Sequence, residues 1–210
     1  MKSKAPIAVA VILTILLIDQ TVKIVVKTNM KLLESIEITE WCKIYFVENN
    51  GIAMGIDVFN KTAVSIFRIT SCILIACYLV WIVRKKHKTG YIVCIAMIFA
   101  GAVGNIIDSV FYGVAFGEST PSNIATFLPP EGGGYGSWLN GKVVDMFYFP
   151  IFSFNWAQNI PVIGGKEFEF FCWVFNVADA SITVGLGILI IFYRKTFGAN
   201  SKKRKIKIQS

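Results

Sequence analysis

Four apolar runs, at about residues 5–26, 62–83, 91–112 and 170–193, leave this chain few ways to fold. A helix of about 20 residues, rising 1.5 Å per residue, covers the roughly 30 Å hydrocarbon core of a bilayer, so each run is expected to span a membrane. The composition agrees: 55% of the residues are hydrophobic and only 16% charged, which argues against a soluble domain with a large core. The expected fold class is membrane all-α with small β: four transmembrane helices plus a small extracytoplasmic β-sheet and periplasmic loop elements. Residues 1–210 are read as one integral membrane domain, with outer segments 27–61 and 113–169 and a basic tail 194–210.

Charge sets the expected orientation. Lys2 and Lys4 precede the first run, Arg84, Lys85, Lys86 and Lys88 separate the second and third, and seven further cations from Arg194 to Lys207 follow the fourth. These three places hold thirteen of the 21 Lys and Arg and not one acid, so the positive-inside rule puts all three, with both termini, in the cytoplasm. The net charge of +8 is thereby a matter of topology, and no nucleic-acid partner is expected. The tail at Lys202–Lys207 is suited to anionic lipid headgroups. The first run lacks a small-residue cleavage site and is expected to stay as an uncleaved anchor.

The polar residues inside these runs are the functional candidates, because ionisable groups in a membrane are costly and usually face a cavity or a partner. Asn105 and Asp108, and again Asn176 and Asp179, are three residues apart, so each pair projects from one helix face. Asp19 and Lys23 are four apart, which reads equally well as an interfacial ion pair with Lys23 snorkelling and as part of a site. Gly101 and Gly104 read most simply as a close helix contact. In the outer segments, Trp41–Val47 is rich in aromatic and β-branched residues and reads as a strand running into an Asn49-Asn50-Gly51 turn. Asp145 stands in the apolar and aromatic stretch Gly141–Pro150, a poor surface strand, which is read as a segment dipping into the membrane interface.

With this topology all 13 acids fall in outer loops or the outer parts of spans, where Asp19, Asp108, Asp145 and Asp179 can converge. The single His87 is on the other side, so neither a Ser–His nor a Cys–His pair is available, and no metal-ligand spacing is found among the five cysteines. Cys42 and Cys172 share the outer side, and free thiols are favoured there over a disulfide. Two carboxylates held together cannot both ionise, and such a pair activates water on one side and protonates a leaving amine on the other. Asn105 and Asn176 are suited to orient the acids or to donate to an oxyanion. Spacing alone does not choose Asp145 over Asp108.

Five ordered motifs, Asp19-Gln20 with Lys23, Asn49-Asn50-Gly51 with Ala53, Gly104-Asn105 with Asp108, Val143-Val144-Asp145 and Phe175-Asn176-Val177-Ala178-Asp179, span all four runs. In them the chain resembles the lipoprotein signal peptidases (signal peptidase II), the intramembrane aspartyl peptidases of bacteria. The resemblance implies that Asp145 and Asp179 are the catalytic dyad and that Asn49 and Gly51 contribute to substrate binding. Asn105, Asp108, Asn176, Asp19 and Lys23 are then expected to support the site. It implies a prolipoprotein substrate whose lipobox cysteine carries diacylglycerol, cleaved just before that cysteine, and no metal or organic cofactor. The expected location is the bacterial cytoplasmic (inner) membrane with the active site toward the outer leaflet, and the expected state a monomer amid membrane lipids. Ser109 stands where the family usually has Arg, with Lys142 as a candidate replacement. Met54 and Met146 replace the commoner Phe, Ala180 the commoner Ser, and the segments 113–142 and 147–170 are longer than usual.

Two other classes compete. A small ion- or proton-coupled transporter would want acids through the depth of the membrane, and the inner halves of the runs carry none. An assembly subunit whose acids only pair with Lys23 and Arg68 leaves two Asn-x-x-Asp repeats unexplained.

Overall fold

The structure is a computed structural model and describes residues 3–50, 61–129, 133–158, 161–162 and 164–206. Four long helices form where the apolar runs predict them: α1 (Ala5–Asn29), α2 (Lys61–Arg84), α3 (Thr89–Ile107) and α5 (Val177–Ile206). Each is long and apolar enough to cross a membrane. α3 continues as a π-helical stretch, Asp108–Tyr112, and a last turn, α4 (Gly113–Ala115). Wide i→i+5 turns of that kind occur mostly at functional sites.

Burial is inverted relative to a soluble protein. Leu17 is 71% exposed and Phe192 73%, while Lys23 is 0% and Asp108 0% exposed. Water would penalise that arrangement heavily; hydrocarbon around the helices and a polar interior among them remove the penalty. The chain is a multi-pass membrane protein.

Among the described residues six strands lie between the helices: β1 (Ser35–Thr39), β2 (Cys42–Asn49), β3 (Val143–Tyr148), β4 (Phe152–Asn155), β5 (Glu167–Phe170) and β6 (Val174–Phe175). Four form an antiparallel sheet in the order β1-β2-β3-β6. Three expectations are corrected here. The stretch around Asp145, not expected to be a strand, is one: as β3 it sits between two neighbours, with Val143 to Met146 all buried. The strand read over Trp41–Val47 runs from Cys42 to Asn49, and its hairpin partner among the described residues is β1. The fourth helix begins at Val177 rather than near 170, because Val174 and Phe175 pair with Tyr148 and Phe147 in the sheet. A short apolar run does not reveal by itself whether it will be buried strand or buried helix.

The chain divides into two compact units. The first holds Met1–Asp19, Phe67–Ile106 and Val177–Ser210; the second holds Gln20–Ile66 and Ile107–Asn176. In the first, Tyr91, Ile92, Ile82 and Leu189 centre an apolar cluster. Gly101 makes the close contact expected of it, since a Cβ there would strike the Ala178 carbonyl and the Ile182 side chain. In the second, Phe46, Val144, Met146 and Phe116 are packed with Val26 of α1 and with Met30 just after it. Gly141 N–H donates to the Ser109 carbonyl at 2.9 Å, and a Cβ on Gly141 would strike the Asp108 carbonyl. That contact fixes the start of β3 against the π-helical stretch.

The long segment 147–170 builds a second, two-stranded ribbon from β4 and β5. Its register places Phe152 against Phe170 and Phe154 against Phe168, so one face is aromatic and the other carries Ser153, Asn155, Glu167 and Glu169. The Tyr148 hydroxyl of β3 hydrogen-bonds Glu169, tying the ribbon to the main sheet.

Candidate active site

In the second unit two acids organise the polar interior. Asp108, at the first position of the π-helical stretch, pairs with Lys23 Nζ at 2.9 Å, both side chains being fully buried. Its Oδ1 accepts Gln20 Nε2 at 3.0 Å and its Oδ2 accepts the Val144 backbone N–H at 3.2 Å. Tyr112 in turn donates to Gln20 Oε1 at 3.2 Å. The ammonium of Lys23 is therefore inside the protein, paired with Asp108 and not snorkelling to headgroups.

Asp145 follows Val144 on β3 and is 3% exposed. Its Oδ1 accepts Asn176 Nδ2 at 2.6 Å and its Oδ2 accepts Asn49 Nδ2 at 3.2 Å. Asn176 Nδ2 also lies 3.3 Å from the Val144 carbonyl, so one amide fixes both the strand and its acid. β2 supplies Asn49 because Asn49 pairs with Val143 and Val47 with Asp145. Gly51 lies outside the described residues.

A second buried cluster went unnoticed in the sequence. Glu48 pairs with Lys27 and, at 3.0 Å, with Lys142, and accepts Ser119 Oγ at 3.1 Å. Burial alone would push the Glu48 carboxyl up, but the two ammonium groups outweigh it and hold the carboxyl below its ordinary value. Lys142 is thus engaged with Glu48, and its backbone N–H donates to the Tyr135 hydroxyl at 2.7 Å, whose acidity burial weakens. The signal was present: Asp19, Lys23 and Lys27 recur every four residues on one face of α1. A first span that ends at about 26 leaves Lys27 outside it, whereas α1 runs on to Asn29.

The first unit holds two further acids. Asp179, in the first turn of α5, accepts Asn105 Nδ2 at 2.8 Å. Asp19 Oδ1 accepts the Ala178 backbone N–H at 2.8 Å. That N–H is one of the four that a helix start leaves without an internal partner, and a carboxylate there also complements the helix dipole. Gly104 makes room: a Cβ there would lie 2.7 Å from Asp19 Oδ2 and 3.2 Å from the Ala178 Cβ. Each asparagine of the two Asn-x-x-Asp repeats thus donates to an acid of another element, Asn105 to Asp179 and Asn176 to Asp145. All five cysteines are free thiols, Cys42 and Cys172 among them.

Buried carboxylates steered by amides, in a chain of four membrane-crossing helices, define a membrane-embedded enzyme of acid–base type. The model of one family, Signal peptidase (SPase) II, matches residues 11–195. The lipoprotein signal peptidase of Porphyromonas gingivalis is 44% identical over 191 residues, covering 90% of this chain and 84% of the relative. That of Staphylococcus haemolyticus is 31% identical over 206 residues, covering 97% and 100%. Two solved structures of a bacterial membrane enzyme, obtained by the in meso method at 2.3 Å and 1.9 Å resolution, have similar folds. The first has a TM-score of 0.58 at 25% identity over 91% of this chain and 90% of that one; the second has 0.59 at 26% over 90% and 94%. The chain belongs to the signal peptidase II family: it is a hydrolase of lipoprotein processing, an aspartic protease.

Proposed function

We propose that this peptidase removes the signal peptide of diacylglyceryl-modified prolipoproteins, cleaving just before the lipidated cysteine, with Asp145 and Asp179 as the catalytic pair. One acid takes a proton from water, whose oxygen attacks the scissile carbonyl carbon. The C–N bond then breaks as the other acid protonates the departing cysteine amine. The products are a signal helix ending in a carboxylate and a lipoprotein beginning with the lipidated cysteine. A site toward the outer leaflet, with both termini cytoplasmic, suits a substrate whose acyl chains and signal helix remain in lipid. The enzyme acts as a monomer with no cofactor.

The observation that carries this reading is Asn176. Its amide donates to Asp145 at 2.6 Å, and it stands three residues before Asp179 in the chain. Asp108 is the rival acid, but its carboxylate is committed to Lys23. The test is a gel-shift assay of purified enzyme in detergent with lipidated and unlipidated prolipoprotein. Wild type should cleave the lipidated form alone, and Asp145→Asn and Asp179→Asn should bind it without cleaving. Full rate in either variant removes that acid from the pair and puts Asp108 in its place.

A further inference from the structure

The turn joining α2 to α3 carries a pocket of about 350 Å³ lined by Lys85, Lys86, His87, Lys88, Tyr91 and Tyr193. Its walls are built, not incidental. Trp81, His87, Tyr91 and Tyr193 follow one another in ring contact at 5.4, 5.6 and 5.5 Å between centroids. Tyr78 and Tyr91 share a hydroxyl–hydroxyl bond of 2.5 Å beneath them. Lys4 Nζ donates to the His87 carbonyl at 2.6 Å, tying the start of α1 to the turn. Gly90 leaves room for the Tyr193 hydroxyl, which a Cβ there would strike.

The backbone holds a strained lysine at this place. His87 N–H donates to the Ile82 carbonyl and Lys86 N–H to the Val83 carbonyl, each at 3.1 Å. This is the double bond of a Schellman cap, whose left-handed residue is usually glycine. Here it is Lys86, at φ 56°. A lysine kept where glycine fits better is a local cost of the kind that persists at binding sites.

The sequence of the first unit offers these cations few counter-charges. The first unit contains fourteen Lys and Arg and only two acids, Asp19 and Asp179, both engaged elsewhere. The residues leading away from the pocket are apolar and exposed: Trp81 and Val80 on α2, and Ile190, Ile191 and Phe192 on α5. An indole at such a rim is the usual marker of a membrane interface.

We propose that this pocket binds a phosphate group, and that the phosphate is the headgroup of an anionic membrane lipid whose acyl chains lie along the exposed faces of α2 and α5. Basic pockets between membrane helices hold lipid headgroups through the same charge chemistry. The site is independent of which acids perform the cleavage.

The test is native mass spectrometry of the full chain, delipidated and then titrated with phosphatidylglycerol, phosphatidylcholine or inorganic phosphate. Wild type should retain one phosphatidylglycerol in preference to phosphatidylcholine, and millimolar phosphate should not displace it. Lys85→Gln with Lys88→Gln should weaken that retention by roughly thirtyfold while prolipoprotein processing stays at the wild-type rate. Lys86→Gly should raise the melting temperature while also weakening retention. Neutralising the tail by Lys202→Gln, Lys203→Gln and Lys205→Gln should leave the single bound lipid in place. Equal retention of the two lipids, undiminished retention in the Lys85/Lys88 variant, or loss through the tail variant alone would each overturn the proposal. Displacement by phosphate would overturn the lipid as its source.

Discussion

Asp108 and Asp145 lie in the same unit, joined through Val144, whose N–H binds the first and whose neighbour is the second. Asp108 faces the ammonium of Lys23, a backbone N–H and the Gln20 amide. Asp145 accepts from two asparagine amides, those of Asn176 and Asn49. The Asp108 carboxylate, opposite a fixed ammonium, serves as a pin between α1, the π-helical stretch and β3. The amides of Asn176 and Asn49 hold the Asp145 carboxylate in position between β2 and the start of α5. Two acids of equal standing in the sequence thus stand in different hydrogen-bond settings.

That contrast predicts a dissociation of stability from turnover. Asp108→Asn leaves a buried ammonium without its counter-charge and should cost about 3–5 kcal/mol of stability, seen as a large fall in the thermal midpoint in detergent. Asp145→Asn keeps the shape but only one of the two accepted amide bonds, since its own NH2 cannot accept, and should cost about 1–2 kcal/mol of stability. Equal destabilisation by both would erase the distinction. Asn176→Ala should then lower turnover by about tenfold to a hundredfold, through loss of about 1–3 kcal/mol of positioning of Asp145, with substrate affinity little changed. A rise in KM at constant kcat would instead make Asn176 a substrate contact.

The first unit offers a smaller test. Gly104→Ala should destabilise by about 1–3 kcal/mol, because a methyl there presses on Asp19 and Ala178 and disturbs the start of α5. The weakest effect is one of pH. The Glu48 carboxyl is held below its ordinary value, so its stabilisation is present above about pH 4.5 and is lost as pH falls through the lower folded value. Thermal midpoints measured between pH 6 and 3, at about half-unit steps, should fall less steeply in Glu48→Gln than in wild type.

The membrane helices were legible because apolar length alone forces them, and the inverted burial of Leu17 and Lys23 follows from the same fact. The acids were legible too, as costly residues in apolar runs. Their partners were not. A spacing of three places Asn105 and Asp108 on one face, but it cannot say that Asn105 will hold Asp179 and that Asp108 will take Lys23. Those pairings depend on how elements distant in the chain meet. β3 and β6 were missed for a related reason: continuous apolar stretches suit a buried strand as well as a membrane segment. Lys142, a candidate for the arginine that Ser109 replaces, lies with Glu48, a residue whose burial no local pattern announces.

The central claim is that Asp145 and Asp179 act as one unit. The most direct measurement is single-turnover cleavage of a lipidated prolipoprotein by wild type, Asp145→Asn, Asp179→Asn and the double variant, each checked for folding by its thermal midpoint. Members of a catalytic unit are strongly non-additive. Each single variant should lose about a thousandfold or more in rate, and the double variant should lose no more than either alone. Losses that multiply in the double variant, or a single variant that cleaves at the wild-type rate, would contradict the account.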